Sequence, residues 1–273
     1  MSAPASGLPS VEWVEDRARG VRLEVLVEGA GPDVVLVPSA MRGARDFAHL
    51  QTSLTNAGYR SLAINPRLAG RSVGPLEELT LRDIADDIAL VVNKLCLGAA
   101  HLVGHALGNV CVRAAASFRP EIARTVTVMP CGGHDLAMRP VSPDVIAAMP
   151  RCHDESLSDA ERIQAMRIAF FAPGNDSAVW LDDWWPQSAG IAGAIGRTDP
   201  ELWWRGGIVP MLIIMPLNDA MMTAEAGRAT AEALGERAHY VEVDNCGHAI
   251  LPEQPEAVAG HVIAFLNRAG TVR

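Results

Sequence analysis

Short runs of wholly apolar or alternating residues recur along the chain, and between them lie longer stretches in which apolar positions return every three to four residues. That alternation predicts parallel strands joined by crossover helices, an α/β architecture. Val11 to Val14 and Val21 to Val27, parted by Gly20, predict an opening antiparallel hairpin. Val34 to Val37 is apolar throughout, as a strand buried on both faces must be. A helix is expected over Arg45 to Ala57, closed by Gly58, and then a strand at Ser61 to Ile64. Thr80 with Asp83 three residues on has the form of a helix N-cap, and the apolar spacing continues the helix from Leu81 to Leu95. A strand at His101 to Gly104 breaks abruptly into a helix at Leu107 to Phe118, and Thr125 to Met129 is another buried strand.

From Cys131 to Gly207 the pattern changes to Pro, Gly, Trp and short helical patches without strand character. We expect this stretch, 131–207, to be a helical cap inserted into a core domain formed by 1–130 and 208–273. Strand character returns at Met211 to Met215, followed by a helix at Thr223 to Leu234, a strand at His239 to Val243 and a closing helix at Pro255 to Leu266. No internal repeat is visible.

Composition narrows the partners. A formal net charge of −9 leaves no basic surface for nucleic acid or an anionic membrane. A small-molecule substrate is the expected partner, and a homodimer is left open. The start of the chain, MSAPASGLPS, has neither the basic residues nor the apolar core of a secretory leader, and no apolar run approaches the roughly 18 residues that span a bilayer. A cytoplasmic protein is expected. The five cysteines are odd in number, scattered and without a CxxC pair, which suits neither a disulfide framework nor a zinc site. They are read as buried or bystander thiols, and no metal or cofactor is expected.

The candidate chemistry begins at Gly104-His105-Ala106-Leu107-Gly108. It joins a buried strand to a helix and has G-x-S-x-G spacing with alanine at the centre. Asp219 follows a buried strand in Pro216-Leu217-Asn218-Asp219. His248 lies in Asn245-Cys246-Gly247-His248, after the last strand. The order is nucleophile position, acid, histidine. With these residues in place the chain resembles the α/β-hydrolase superfamily over nearly its whole length, including Leu251-Pro252-Glu253-Gln254-Pro255-Glu256 after the histidine. The stretch Gly104 to Asn109, with Phe170-Phe171-Ala172-Pro173-Gly174-Asn175-Asp176 and Gly247-His248-Ala249, resembles a bacterial subgroup whose elbow reads G-H-A-F-G-N.

The resemblance implies an α/β-hydrolase fold, a mostly parallel central sheet flanked by helices, with catalytic residues at Ala106 (the nucleophile position), Asp219 and His248. The histidine would act as base, and the acid would hold its tautomer. Backbone N–H groups of Leu107 and, by position, Ala40 would form an oxyanion hole. Where the family usually has His-Gly, this chain has Pro38-Ser39-Ala40-Met41-Arg42-Gly43. Asn65 to Ser72 is similar to the family's D-x-x-G-x-G-x-S turn, with Asn in place of Asp. Ser39, Met41, His105, Phe170, Trp184 and Trp185 are expected to bind substrate, although bulky rings in a cap also serve as its core. His101, His134 and His261 are assigned to packing or surface.

Ala106 leaves three readings open. A methyl group cannot attack a carbonyl, so acyl transfer through this position is closed. The chain is then an enzyme that uses His248–Asp219 as general base on a small, mainly apolar ester, lactone or β-diketone-like compound, by water attack or by lyase, isomerase or cyclase chemistry. Alternatively it is an esterase or lactonase whose serine has been replaced, or a protein that binds a small molecule without acting on it. Intact Asp219 and His248 weigh against the last, because a binder needs no oriented base.

Overall fold

The structure is a computed structural model that describes residues 9–132 and 141–271. His134 lies outside the described residues. Among the described residues eight strands form one sheet: β1 (Ser10–Asp16), β2 (Val21–Gly29), β3 (Asp33–Val37), β4 (Arg60–Ile64), β5 (Ala100–His105), β6 (Ala123–Met129), β7 (Met211–Pro216) and β8 (Ala238–Val243). Their spatial order is β1-β2-β4-β3-β5-β6-β7-β8. β1 pairs antiparallel with β2 and β2 with β4, and every later pairing is parallel. The opening hairpin and the parallel body are therefore as the periodicity predicts.

In chain order the helices are α1 (Ala48–Asn56), α2 (Leu81–Leu95), α3 (Leu107–Phe118), α4 (Pro143–Ala148), α5 (Asp159–Ala169), α6 (Gly193–Gly196), α7 (Ala224–Leu234), α8 (Ile250–Glu253) and α9 (Pro255–Thr271). The helix expected from Arg45 begins instead as a 3-10 turn over Ala44–Phe47, and α1 proper starts at Ala48. At α2 the Thr80 side chain accepts from the Asp83 N–H while Asp83 reaches back to the Thr80 N–H, a reciprocal capping box.

The apolar strands are explained by what covers each face. On β3, Val35 and Val37 join a core with Leu102 of β5 and Ile88 and Val92 of α2, whereas Val34 and Leu36 face Phe47, Leu54 of α1 and Val262 and Phe265 of α9. Helices on both sides leave the central strands β3, β5 and β7 no face for water. β8 is the edge strand and is the least buried of the parallel set. This layering fixes the carboxyl ends of β3, β5, β7 and β8 along one rim, from which the site loops depart.

Between β6 and β7 the described residues form helices and 3-10 turns and no strand. Part of this segment has its own small core, in which Val145, Cys152, Met166, Phe171 and Trp180 pack together with Met221 and Ala249 from the loops after β7 and β8. No helix among the described residues is long and apolar enough to cross a membrane.

Candidate active site

The turn from β5 into α3 forces Ala106 to φ +50° and ψ −110°, a strained conformation for a residue with a side chain. It holds because the ends are pinned. The Ala106 N–H donates to the Met129 carbonyl at 2.8 Å, and its carbonyl accepts from the Asn109 N–H at 3.0 Å. The flanking glycines are there for space: a Cβ on Gly104 would lie 2.2 Å from the Gly108 carbonyl oxygen, and one on Gly108 would lie 2.0 Å from that of Val37. Leu107 then opens α3, so its N–H is one of the donors that helix geometry leaves free.

The loop after β3 carries Ala40, with Met41 at φ +57°. Three contacts hold it. The Asn65 Oδ1 accepts from the Ala44 N–H at 2.7 Å, which gives the asparagine of the Asn65–Ser72 turn its purpose. The Met41 carbonyl accepts from the Trp185 N–H at 2.8 Å. Arg42 donates through Nε and Nη2 to Asp46, and through Nη1 to the Asp182 carbonyl at 2.7 Å, with its guanidinium 4.6 and 4.7 Å from the Trp180 and Trp184 ring centres. Both side chains of the pair are only 3% exposed. Removing the cation alone would strand a buried carboxylate, so Arg42→Met should cost about 3–5 kcal/mol of stability, and adding Asp46→Asn should recover much of it. Urea unfolding of the single and double variants checks this, and additive losses would contradict it.

Asp219 and His248 meet. His248 Nδ1 donates to Asp219 Oδ2 at 2.9 Å, while the other carboxylate oxygen accepts from the N–H groups of Met221 and Met222 at 2.7 and 3.1 Å. The acid side chain is fully buried and the imidazole 11% exposed. With Nδ1 committed as a donor, Nε2 is the free, basic nitrogen. Glu253 fixes the loop that carries His248: its Oε2 accepts from the Gly247 N–H and its Oε1 from the Ala172 N–H, both at 2.7 Å, and also from Asn175 Nδ2 at 2.8 Å. Burial pushes the Glu253 carboxyl above its ordinary value. Spacing alone gave no hint of the anchoring roles of Glu253 and Arg42, since besides Gly247 and Asp46 their partners lie far off in sequence.

His105, next to Ala106, hydrogen-bonds through Nε2 to the His248 carbonyl at 2.8 Å and so ties the elbow to the histidine loop. A carbonyl only accepts, so His105 is the Nε2–H tautomer. Burial, reinforced by the nearby His248, lowers the pKa of His105 to about 3; burial, with Arg124, lowers that of His101 to about 4. Both histidines stay neutral in the fold but take a proton when unfolded below about pH 6.5. Their contribution is intact above that value and is lost as pH falls toward 4, by on the order of 2 kcal/mol each between pH 7 and pH 5. Urea melts at the two pH values should show the loss, and His101→Gln should remove about half of it.

The remaining expected site residues divide into two groups. Phe170 stacks 5.9 Å from the His248 ring and 6.1 Å from Trp184, which lies in turn against Trp180. Ser39, Met41 and Leu107 instead line a narrow cavity between β2, β4 and α2, whose empty space, the open solvent at its surface included, is about 570 Å³. Phe170, Trp184 and Trp185 are not among its wall residues; Trp185 turns its Nε1 to Asp183 at 3.0 Å.

A parallel sheet clasped by helices, a strained strand-to-helix elbow and a buried His–Asp pair after the last two strands define an α/β-hydrolase-fold protein. The chain belongs to the α/β hydrolase family, which it matches over residues 34–261. It is similar to the bifunctional epoxide hydrolase 2 of Sus scrofa, 35% identical over 109 residues, which make up 39% of this chain and 20% of that protein. It is also similar to the 2-(acetamidomethylene)succinate hydrolase of Mesorhizobium japonicum, 30% identical over 109 residues, covering 40% of this chain and 39% of the relative. In both, the match spans well under two thirds of the relative's length. Among solved structures, a thermophilic esterase from Thermogutta terrifontis superposes with a TM-score of 0.75 at 18% identity, covering 96% of this chain and 100% of its own, a likeness of fold.

Proposed function

We propose that the protein hydrolyses a small, mainly apolar carbonyl compound, an ester or lactone, by direct attack of water, with His248 as general base. The observation that carries this reading is the Asp219–His248 pair itself: a buried carboxylate, already holding two backbone N–H groups, bonded to Nδ1 at 2.9 Å. It leaves Nε2 ready to accept a proton. A protein that only bound its ligand would have no use for a desolvated acid aimed at an imidazole.

In the proposed mechanism Nε2 of His248 takes a proton from water as the oxygen attacks the carbonyl carbon. The N–H groups of Leu107 and Ala40 receive the oxyanion. The tetrahedral intermediate collapses, and His248 returns the proton to the departing alkoxide, giving acid and alcohol. Ala106 provides the turn that aims Leu107 and takes no covalent part, so no acyl-enzyme forms. The segment 131–207 acts as the cap, with Phe170 and Trp184 shielding His248 from bulk water. The same base and donors also suit proton abstraction next to the carbonyl of a β-diketone, with the enolate in the oxyanion hole.

The test is a panel of activated esters, lactones and β-diketones given to the unaltered chain, with intact-protein mass spectrometry after acid quench. Turnover without an acyl adduct is expected. An adduct on the protein, or no turnover of any member, would refute this reading.

A further inference from the structure

The cavity behind the Ala40 loop tells what the substrate carries on its carbonyl carbon. Its wall is apolar, built from buried Leu23, Ile64, Leu79, Ile88, Cys111 and Ile191. Burial pushes the Cys111 thiol up to about 12, so it stands there as a neutral, unreactive wall group. Three charged side chains also reach the cavity, and all are already matched. Arg67 forks onto Asp87 at 2.7 and 3.0 Å and gives Nη1 to the Pro75 carbonyl, while Arg19 bonds Asp87 and Asp16, so that four charges sum to zero. Arg42 is matched by Asp46. Among the described residues that line the cavity no cation is left over to receive an anion, and a carboxylate placed here would lose its water without gaining a partner.

We infer that this cavity is the acyl-group subsite, and that it selects a slender, uncharged apolar group, an alkyl chain of about four to six carbons or a single ring, over any substrate carrying a charge at the far end of that group. This rests on the proposed hydrolytic reading, because the carbonyl is placed at Leu107 and Ala40. The cavity reaches Leu107 and the two neighbours of Ala40: Leu107, Ser39 and Met41 are among its lining residues, and Ile88 and Leu23 line it between α2 and β2. Specificity is thereby set from the core side of the site, by α2 and α3, and the aromatic rings around His248 shield the chemistry without receiving the acyl group.

Two unreactive ketones of equal length separate charge from size: 2-heptanone, and 6-oxoheptanoate, in which the terminal methyl is a carboxylate. Calorimetric titration of the unaltered chain should show 2-heptanone binding and 6-oxoheptanoate binding weaker by about tenfold or more, as an unmatched buried charge requires. Cys111→Phe, which fills the cavity, should weaken 2-heptanone by a similar factor, while Cys111→Ala leaves it bound; where Cys111→Phe does not fold, Ile191→Phe, from the segment between β6 and β7, serves in its place. Equal binding of the two ketones, or indifference of 2-heptanone to a folded cavity-filling variant, overturns the inference. Binding needs no chemistry, so the outcomes separate. Ketone selectivity with no ester turnover would leave the subsite standing and defeat the hydrolytic reading. Ester turnover unaffected by filling the cavity would do the reverse.

Discussion

His248→Gln should lower turnover by on the order of 10²-fold or more while leaving the fold intact. Glutamine fills similar space and can still hydrogen-bond Asp219, but it offers no basic nitrogen to the attacking water. The structural duties of this position are carried by the backbone: the 248 carbonyl accepts from His105, and the Gly247 and Ala249 N–H groups are held by Glu253 and the Phe170 carbonyl. Loss of activity with an unchanged thermal midpoint therefore reports the base and not the loop. An unchanged rate would remove His248 from the mechanism, and a collapsed midpoint would show that the ring is structural.

The second large effect falls on stability. Gly108→Ala places a methyl group 2.0 Å from the Val37 carbonyl oxygen, and that atom belongs to the backbone of β3, one of the central strands of the sheet. No rotamer can relieve it, so either α3 moves off the sheet or the strand bends. We expect a loss of about 3 kcal/mol or more, seen as a drop in soluble yield and in the midpoint of thermal unfolding. A variant that melts within a degree or two of the original would mean that the elbow is looser than this packing requires. The glycine is thus tied to the Leu107 N–H next to it, because the close approach that demands Gly108 also holds the start of α3 against the end of β3.

Much of this was legible in the sequence, for identifiable physical reasons. Strands buried on both faces leave unbroken apolar runs, so β3 and β7 announce themselves, and the Thr80 capping box marks the start of α2 to the residue. The elbow was readable because both its glycines are required, Gly104 by a contact within the motif and Gly108 by the backbone of β3. Asp219 and His248 follow from their places after successive strands. The cavity was not readable, because its wall is assembled from Leu23, Ile88, Cys111 and Ile191, residues that share no motif and meet only when the sheet closes. Arg42 was invisible as an anchor for a similar reason: apart from Asp46, its partners lie around 140 positions away at Trp180 and Asp182. The tryptophan of the Trp184-Trp185 pair that stacks near His248 could be told from its neighbour only by the direction of its ring, which spacing does not encode.

Ala106→Ser separates an enzyme whose His248 base and backbone donors act without a nucleophile from a serine hydrolase that has lost its serine. The substitution restores the one missing hydroxyl to a geometry otherwise suited to activate it. Turnover of the ester panel should be measured for the unaltered chain and for the serine form side by side. We expect turnover by the alanine form, with little gain or a loss in the serine form because its hydroxyl would occupy the space of the attacking water. Activity confined to the serine form, with a rise approaching the roughly 10⁶-fold that a triad serine can supply, would contradict it and mark the chain as a serine hydrolase lacking its nucleophile.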